Sequence, residues 1–198
     1  MKLQIRPMRP RLASWTPDSA PDDRSFIVET WIASWRNRPS IIGVGDWHGV
    51  MSLAIGRILA QPEITVSVLA DADAEAGAAD LIGWLAYEPH AVDRSYDERS
   101  RGFEYHRVPL AEQHRGLEPL VWYCFVKAPY RKRGMARRLF ERAGIDTSRR
   151  FHHVAETPAV NEMRVAGKIR QAAYRPQLGR APHERGPHGH RPEADHAA

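Results

Sequence analysis

The residues best suited to chemistry form one short stretch, Arg131-Lys132-Arg133-Gly134-Met135-Ala136. It follows the most apolar run of the chain, Leu120 to Val126. It precedes a segment in which Met135, Leu139, Phe140 and Ala143 recur at helical spacing with arginines between them. A loop that leaves a buried strand and opens a helix presents unpaired backbone N–H groups and the positive end of the helix dipole. Gly134 keeps a side chain off that backbone, Ala136 leaves the first turn open, and Arg131 and Arg133 stay charged at any physiological pH. Such a loop suits a phosphate or a pyrophosphate. The charge distribution agrees with it. Between Lys127 and Arg150 nine basic residues stand against two acidic ones, a local +7 in a 198-residue chain whose net charge is +5. The rest of the molecule is therefore slightly acidic, and the basic window implies an anionic partner: nucleic acid, an anionic membrane or a phosphorylated small molecule.

Other reactive side chains read more plainly as structure. Cys124 lies inside the apolar run and is expected to be a core thiol; a single Cys supports neither a disulfide framework nor a Cys-based zinc site. His152 and His153 are adjacent, so in a strand they face opposite ways and share no metal ion. His183, His188, His190 and His196 fall in a Pro- and Arg-rich tail. Asp46-Trp47-His48 reads as a helix cap, with His48 a candidate to face an acceptor. Trp31 and Trp35, four residues apart, read as core. No metal site is expected.

The elements that must position the loop follow from periodicity. Residues 2–6 alternate as a strand. A helix opens near Asp22-Asp23, with Phe26, Ile27, Thr30, Trp31, Ser34 and Trp35 as its buried stripe, and a second starts at Asp46 with Val50, Leu53, Ala54, Ile58 and Leu59 facing inward. Residues 64–70 and 81–87 read as two arms of a hairpin, and 88–118 as a long polar connection containing a short strand near 103–108. Residues 120–126 form a central strand covered on both faces, 134–143 a helix, 151–157 a strand and 158–173 a helix. The fold class is α/β (α+β), one domain over 1–178, with a disordered tail over 179–198. The start has no signal-like apolar core and no run is long enough to span a bilayer, so a cytoplasmic protein is expected.

Arg131-x-x-Gly134-x-Ala136, placed between that strand and that helix, resembles the signature of the GNAT superfamily of acyl-CoA-dependent N-acetyltransferases, Arg/Gln-x-x-Gly-x-Gly/Ala. Stretches beginning at Arg99, Gln113 and Arg164 match as far as the first Gly and then fail. The order of elements to about residue 175 is similar as well, with the helix pair between the first and second strands. The resemblance implies a GNAT-like mixed central sheet flanked by helices, here with a short or incomplete C-terminal strand pair. It implies that Arg131, Lys132, Arg133, Gly134, Met135 and Ala136 cradle the pyrophosphate of coenzyme A. It also implies that a bulge splays the central strand from its neighbour, that the pantetheine arm pairs with the backbone of Phe125 and Val126, and that Asn161 faces the cofactor. The implied reaction is direct attack of a primary amine on acetyl-CoA, the Val126 N–H stabilising the oxyanion. Glu118, at the start of the central strand, is the implied general base. Family members commonly carry a Tyr where this chain has Lys168, so Tyr174 or Tyr123 is left to protonate the thiolate.

The acceptor side is then expected from residues 88–118 or from a partner subunit in a homodimer. No membrane and no nucleic acid are expected as partners. Two other readings stand beside this one. A nucleic-acid-binding or regulatory protein would use the same basic face on phosphates, although no aromatic residues interleave its arginines. A scaffold of GNAT-like fold would bind coenzyme A without transferring anything.

Overall fold

The computed structural model describes residues 2–9, 23–35, 46–73, 81–98, 101–169, 171–175 and 178. Of the turn expected over 71–80, residues 74–80 lie outside them, as does the tail over 179–198. In chain order the elements are β1 (Leu3–Pro7), α1 (Asp23–Trp35), α2 (Trp47–Leu59), β2 (Thr65–Asp71), β3 (Leu81–Asp97), β4 (Gly102–Arg107), β5 (Glu118–Val126), α3 (Met135–Arg142), β6 (Phe151–His153), α4 (Pro158–Val165) and β7 (Ala172–Tyr174). The strands form one mixed sheet in the order β1-β2-β3-β5-β6-β7, and β4 pairs with β3 beyond the point where β5 begins. The pairs from β1 to β5 are antiparallel; β5 with β6 and β6 with β7 are parallel. Parallel neighbours need a crossover, and α3 and α4 supply the two crossovers.

Each face of the sheet carries a core. On one, Ile27, Trp31 and Ile32 of α1 and Ile55 of α2 pack on Val66, Val68, Trp84, Ala86, Leu120 and Trp122. On the other, Met135, Leu139 and Phe140 of α3 and Val160 and Met163 of α4 pack on Leu69, Ile82, Leu85, Val121, Cys124, Val126 and Phe151. Trp84 ties the first core together: its ring lies 5.4 Å from Trp31 and 5.0 Å from Tyr123, and its indole N–H donates to Thr30 Oγ1 at 2.9 Å. β1 is an edge strand, which is why Pro7 fits within it. Asp23, in the first turn of α1, is buried and bonded to the Arg6 guanidinium and the Arg9 N–H, so the expected helix-opening carboxylate also anchors β1.

Several expectations are corrected. On α2 the fully buried residue is Ile55, while Val50 and Leu53 are 57% and 66% exposed. Ile58 and Leu59 pack against the core as expected, whereas Val50, Leu53 and Ala54 of the expected inner face are exposed. The connection expected over 88–118 is mostly strand, because β3 runs 17 residues and turns back through β4. β6 is shorter than expected, and α4 ends at Val165, closed by Gly167 N–H to Arg164 C=O and Lys168 N–H to Met163 C=O, both 2.9 Å, a Schellman arrangement. Ser34 of the expected α1 stripe is exposed and Ile32 is buried in its place.

Candidate functional site

The site begins with an irregularity in β5. Ala86 of β3 stands opposite Tyr123 and Tyr87 stands opposite Val121, so Trp122 is an extra residue on β5 with no partner of its own. It is a β-bulge. Side-chain facing shows the same thing: Val121 and Cys124 belong to the α3/α4 core, while Trp122 and Tyr123 both belong to the α1/α2 core. The missing alternation in the apolar run therefore reflects burial on both faces and the bulge together.

A buried ion pair holds the extra residue. Trp122 Nε1 donates to Glu88 Oε1 at 2.6 Å, and Glu88 pairs with Arg107, whose Nη2 lies 2.9 Å away and whose guanidinium carbon sits 4.9 Å from the indole ring centre. Gln113 donates to Glu88 and Arg107 donates to Gln61. Glu88 and Arg107 are both buried, so each is the other's compensation for lost hydration.

β5 pairs with β6 only at Leu120↔His152 and Val121↔His153; Val154 N–H reaches Val121 C=O at 3.1 Å, and the strands then part. Beyond the bulge β5 keeps, among the described residues, only its β3 partner. Lys127 N–H donates to Ile82 C=O at 2.8 Å, so by antiparallel alternation the Phe125 backbone also faces β3, whereas Cys124 and Val126 face the open edge. Between the two expected backbone partners the geometry thus favours Val126. Phe125 turns its ring into the other core, 6.0 Å from Phe26 and 6.4 Å from Trp84.

In the opening lies a cavity of about 550 Å³, walled by the end of β5, the loop into α3, and α4. Val126, Arg131, Lys132, Gly134, Met135, Ala136 and Asn161 line it; Phe125 and Arg133 do not. Lys132 and Gly134 have φ of 60° and 77°. The second left-handed residue suits only glycine well, and a Cβ there would project into open space. The first α3 bond runs from Arg138 N–H to Gly134 C=O at 3.1 Å, which leaves the N–H groups of residues 134–137 at the helix mouth. Arg131 has a second duty: its Nε donates to Val126 C=O at 3.0 Å and ties the loop to the strand end. Lys168, which the Schellman turn carries to the far wall, lines the cavity with Tyr130 and Met163. In the sequence Lys168 stands, seven residues after Asn161, where the resemblance implies a Tyr, and nothing in its spacing marks it as a lining residue.

Glu118 and Tyr174 lie elsewhere. Glu118 opens β5, eight residues from Val126, and its Oε2 is 2.5 Å from His152 Nε2. Tyr174, at the end of β7, packs its ring tilted against His153 at 5.5 Å and is 43% exposed. Neither lines the cavity. His153 is buried with both ring nitrogens engaged, Nδ1 to Ala155 C=O at 3.2 Å and Nε2 from Arg164 Nη2 at 3.0 Å. Burial lowers its pKa below the ordinary 6.5, and Arg164 adds to the effect. Burial also pushes the Cys124 thiol up to about 12, which leaves it a protonated core group. His48 pairs with Glu29 across α1 and α2 at 3.4 Å. Among the described residues no three His, Cys, Asp or Glu side chains cluster as metal ligands, and no helix is long and apolar enough to cross a membrane.

No family model and no curated protein sequence matches this chain. Solved structures similar to it include a histone acetyltransferase HPA2-related acetyltransferase from Corynebacterium glutamicum, 14% identical over 85% of this chain and 84% of that one, TM-score 0.44. An integron cassette protein from the mobile metagenome of V. cholerae is 12% identical over 91% and 86%, TM-score 0.38. An aminoglycoside acetyltransferase from an uncultured soil metagenomic sample is 13% identical over 83% and 84%, TM-score 0.34. The fold itself is mixed α/β, with the helix pair between β1 and β2 and the loop into α3 directly after the bulged β5, as the sequence led one to expect.

Proposed function

We propose that the protein is an N-acyltransferase that moves an acetyl group from acetyl-CoA to a primary amine. The observation that carries this reading is the cavity at the parting of β5 and β6, floored by a backbone edge and closed by a glycine-containing helix mouth. These features fit coenzyme A in two independent ways. Its pyrophosphate needs clustered N–H donors and positive charge, which residues 134–137, Lys132 and Lys168 offer. Its pantetheine arm carries amides that need a strand-like partner, which the outward backbone of Cys124 and Val126 offers.

Acetyl-CoA, consumed as a substrate, supplies the activated acyl group. What the chain contributes is position. Holding thioester and amine together removes much of the entropic part of the barrier. The Val126 N–H, turned to the open edge, is the donor nearest to hand for the developing oxyanion. Asn161, on the α4 wall, orients the remainder of the cofactor. The reaction is tested by thiol release from acetyl-CoA in the presence of putrescine, kanamycin and lysine methyl ester. Release above the rate without amine is expected with at least one; release with none would refute transfer to amines of these kinds.

A further inference from the structure

We infer that the protein carries a second ligand site, a cavity for a small carboxylate at the C-terminal turn of α3. The inference stands apart from the acyl-transfer reading: the two cavities have no lining residue in common.

The strands prepare the site. Thr65, Ser67 and Leu69 alternate onto one face of β2, and Leu85 and Tyr87 of β3 share that face, the one α3 and α4 cover. Leu69, Leu85 and Tyr87 belong to the apolar core there. Ser67 stands among them, with Pro7 of β1 and Leu85 of β3 as its rung partners. A hydroxyl at such a position contributes little to an apolar core and is costly to bury without a polar neighbour. α3 ends at Arg142, and at that end the sheet face opens into a cavity of about 260 Å³.

Burial separates its floor from its rim. Ser67 and Tyr87, each 8% exposed, form the floor, while Thr65, Pro7 and Arg142 are exposed and form the rim. Arg142 offers a fixed positive charge and a planar fork of N–H donors, the geometry that a carboxylate accepts in pairs. Thr65, Ser67 and Tyr87 offer three hydroxyls that donate to an oxyanion. Ile5 and Pro7 offer apolar surface to the body of the ligand. Arg6 lines the cavity too, but its guanidinium is bonded to Asp23 of α1 on the other side of the sheet. Arg142 is therefore the cation that meets the ligand.

Charge and size narrow the ligand class. The helix end at this cavity is the C-terminus of α3, whose carbonyls carry partial negative charge and disfavour a dianion. The clustered N–H groups that suit a phosphate lie at the opposite end of α3, where Arg138 N–H makes the first helical bond to Gly134 C=O. Met135 lines the first cavity and Arg142 the second, about 10 Å apart along the helix. One guanidinium and three hydroxyls balance a single negative charge. The volume falls just below the about 300–1,000 Å³ of pockets for drug-sized ligands, so a compact monocarboxylate fits. In the sequence Arg142 counts only toward the basic window. Rung pairing, which sets Thr65 opposite Tyr87, is what assembles the site.

Amide chemical-shift titration of the full chain tests the inference, with sodium benzoate as the probe and benzamide and inorganic phosphate beside it. Benzoate is expected to move the Ser67 and Tyr87 amides saturably, with a dissociation constant of about 1 mM. Benzamide, which keeps the shape without the charge, and phosphate are each expected to bind at least about tenfold more weakly. Arg142→Gln, on the exposed side of its helix, is expected to weaken benzoate about 10- to 100-fold, the usual loss for a charged hydrogen-bond donor. Ser67→Ala is expected to weaken it about 3- to 10-fold, and its spectrum reports whether the sheet is intact. Benzamide or phosphate binding as tightly as benzoate would overturn the carboxylate class. Shifts that do not saturate, that centre on Gly134 and Ala136, or that persist unchanged in both folded variants would overturn the site.

Discussion

His153 shows how a single side chain links the site to stability. Neutral, it satisfies both ring nitrogens, donating to Ala155 C=O and accepting from Arg164. Protonated, it would set a positive ring against a guanidinium in a buried place. Its folded pKa is therefore depressed below 6.5, as is that of His152, for which burial is again the leading cause. In that interval the unfolded chain binds more protons than the folded one, so stability is full above pH 6.5 and is lost as pH falls below it. We expect the thermal unfolding midpoint to drop between pH 7 and pH 5, and His153→Gln to flatten the slope. A midpoint that stays constant over that range would contradict the burial of two neutral imidazoles. Cys124 belongs to the same scale: the sequence placed it in the core, and its buried, high-pKa thiol is in keeping with that.

At the scale of elements, what positions the site is the fit of β3 against β5. At Gly83 an added Cβ would lie 2.5 Å from the Phe125 carbonyl oxygen, a main-chain atom that cannot step aside. Gly83→Ala should force the strands apart beside Val126. We expect a loss of about 1–3 kcal/mol by urea denaturation, together with weaker acetyl-CoA binding; wild-type stability would show that the two backbones are not in such close contact. The elements themselves were largely legible in the sequence. β-branched runs marked β2, amphipathic spacing marked α3, and the Asp46 cap marked α2, whose Gly49 N–H it receives at 3.1 Å. Three things were not legible. The inward face of α2 depends on where the sheet lies, and Val50 and Ile55 are equally apolar. The length of β3 was hidden because its far half pairs with β4 alone and carries polar residues such as Asp93, Arg94 and Ser95. The bulge at Trp122 has no local signature, since it is written in the register between two strands and in a Glu88–Arg107 pair drawn from distant positions.

For the whole molecule the question is where the basic excess goes. The window from Lys127 to Arg150 is not one uniform face. Arg131 bonds the Val126 carbonyl, Arg137 pairs with Glu141, Arg149 pairs with Asp146, Arg150 holds Tyr105, and the Lys127 ammonium sits 5.0 Å over the Phe26 ring. Those partners point in several directions. A continuous groove for a nucleic-acid backbone calls instead for arginines and lysines aligned along one track. Arg133, Arg138 and Arg142 are exposed as well, while Arg131, Lys132 and Arg137 of the window line the cavity together with Lys168 from beyond it. The most direct test of this assignment is calorimetric titration of the full chain with acetyl-CoA, beside Gly134→Glu checked for an unchanged fold by circular dichroism. Saturable one-to-one binding to the wild type is expected, weakened on the order of 100-fold, about 2.7 kcal/mol, when a carboxylate enters the helix mouth. No binding to the wild type, or equal affinity for both proteins, would contradict it.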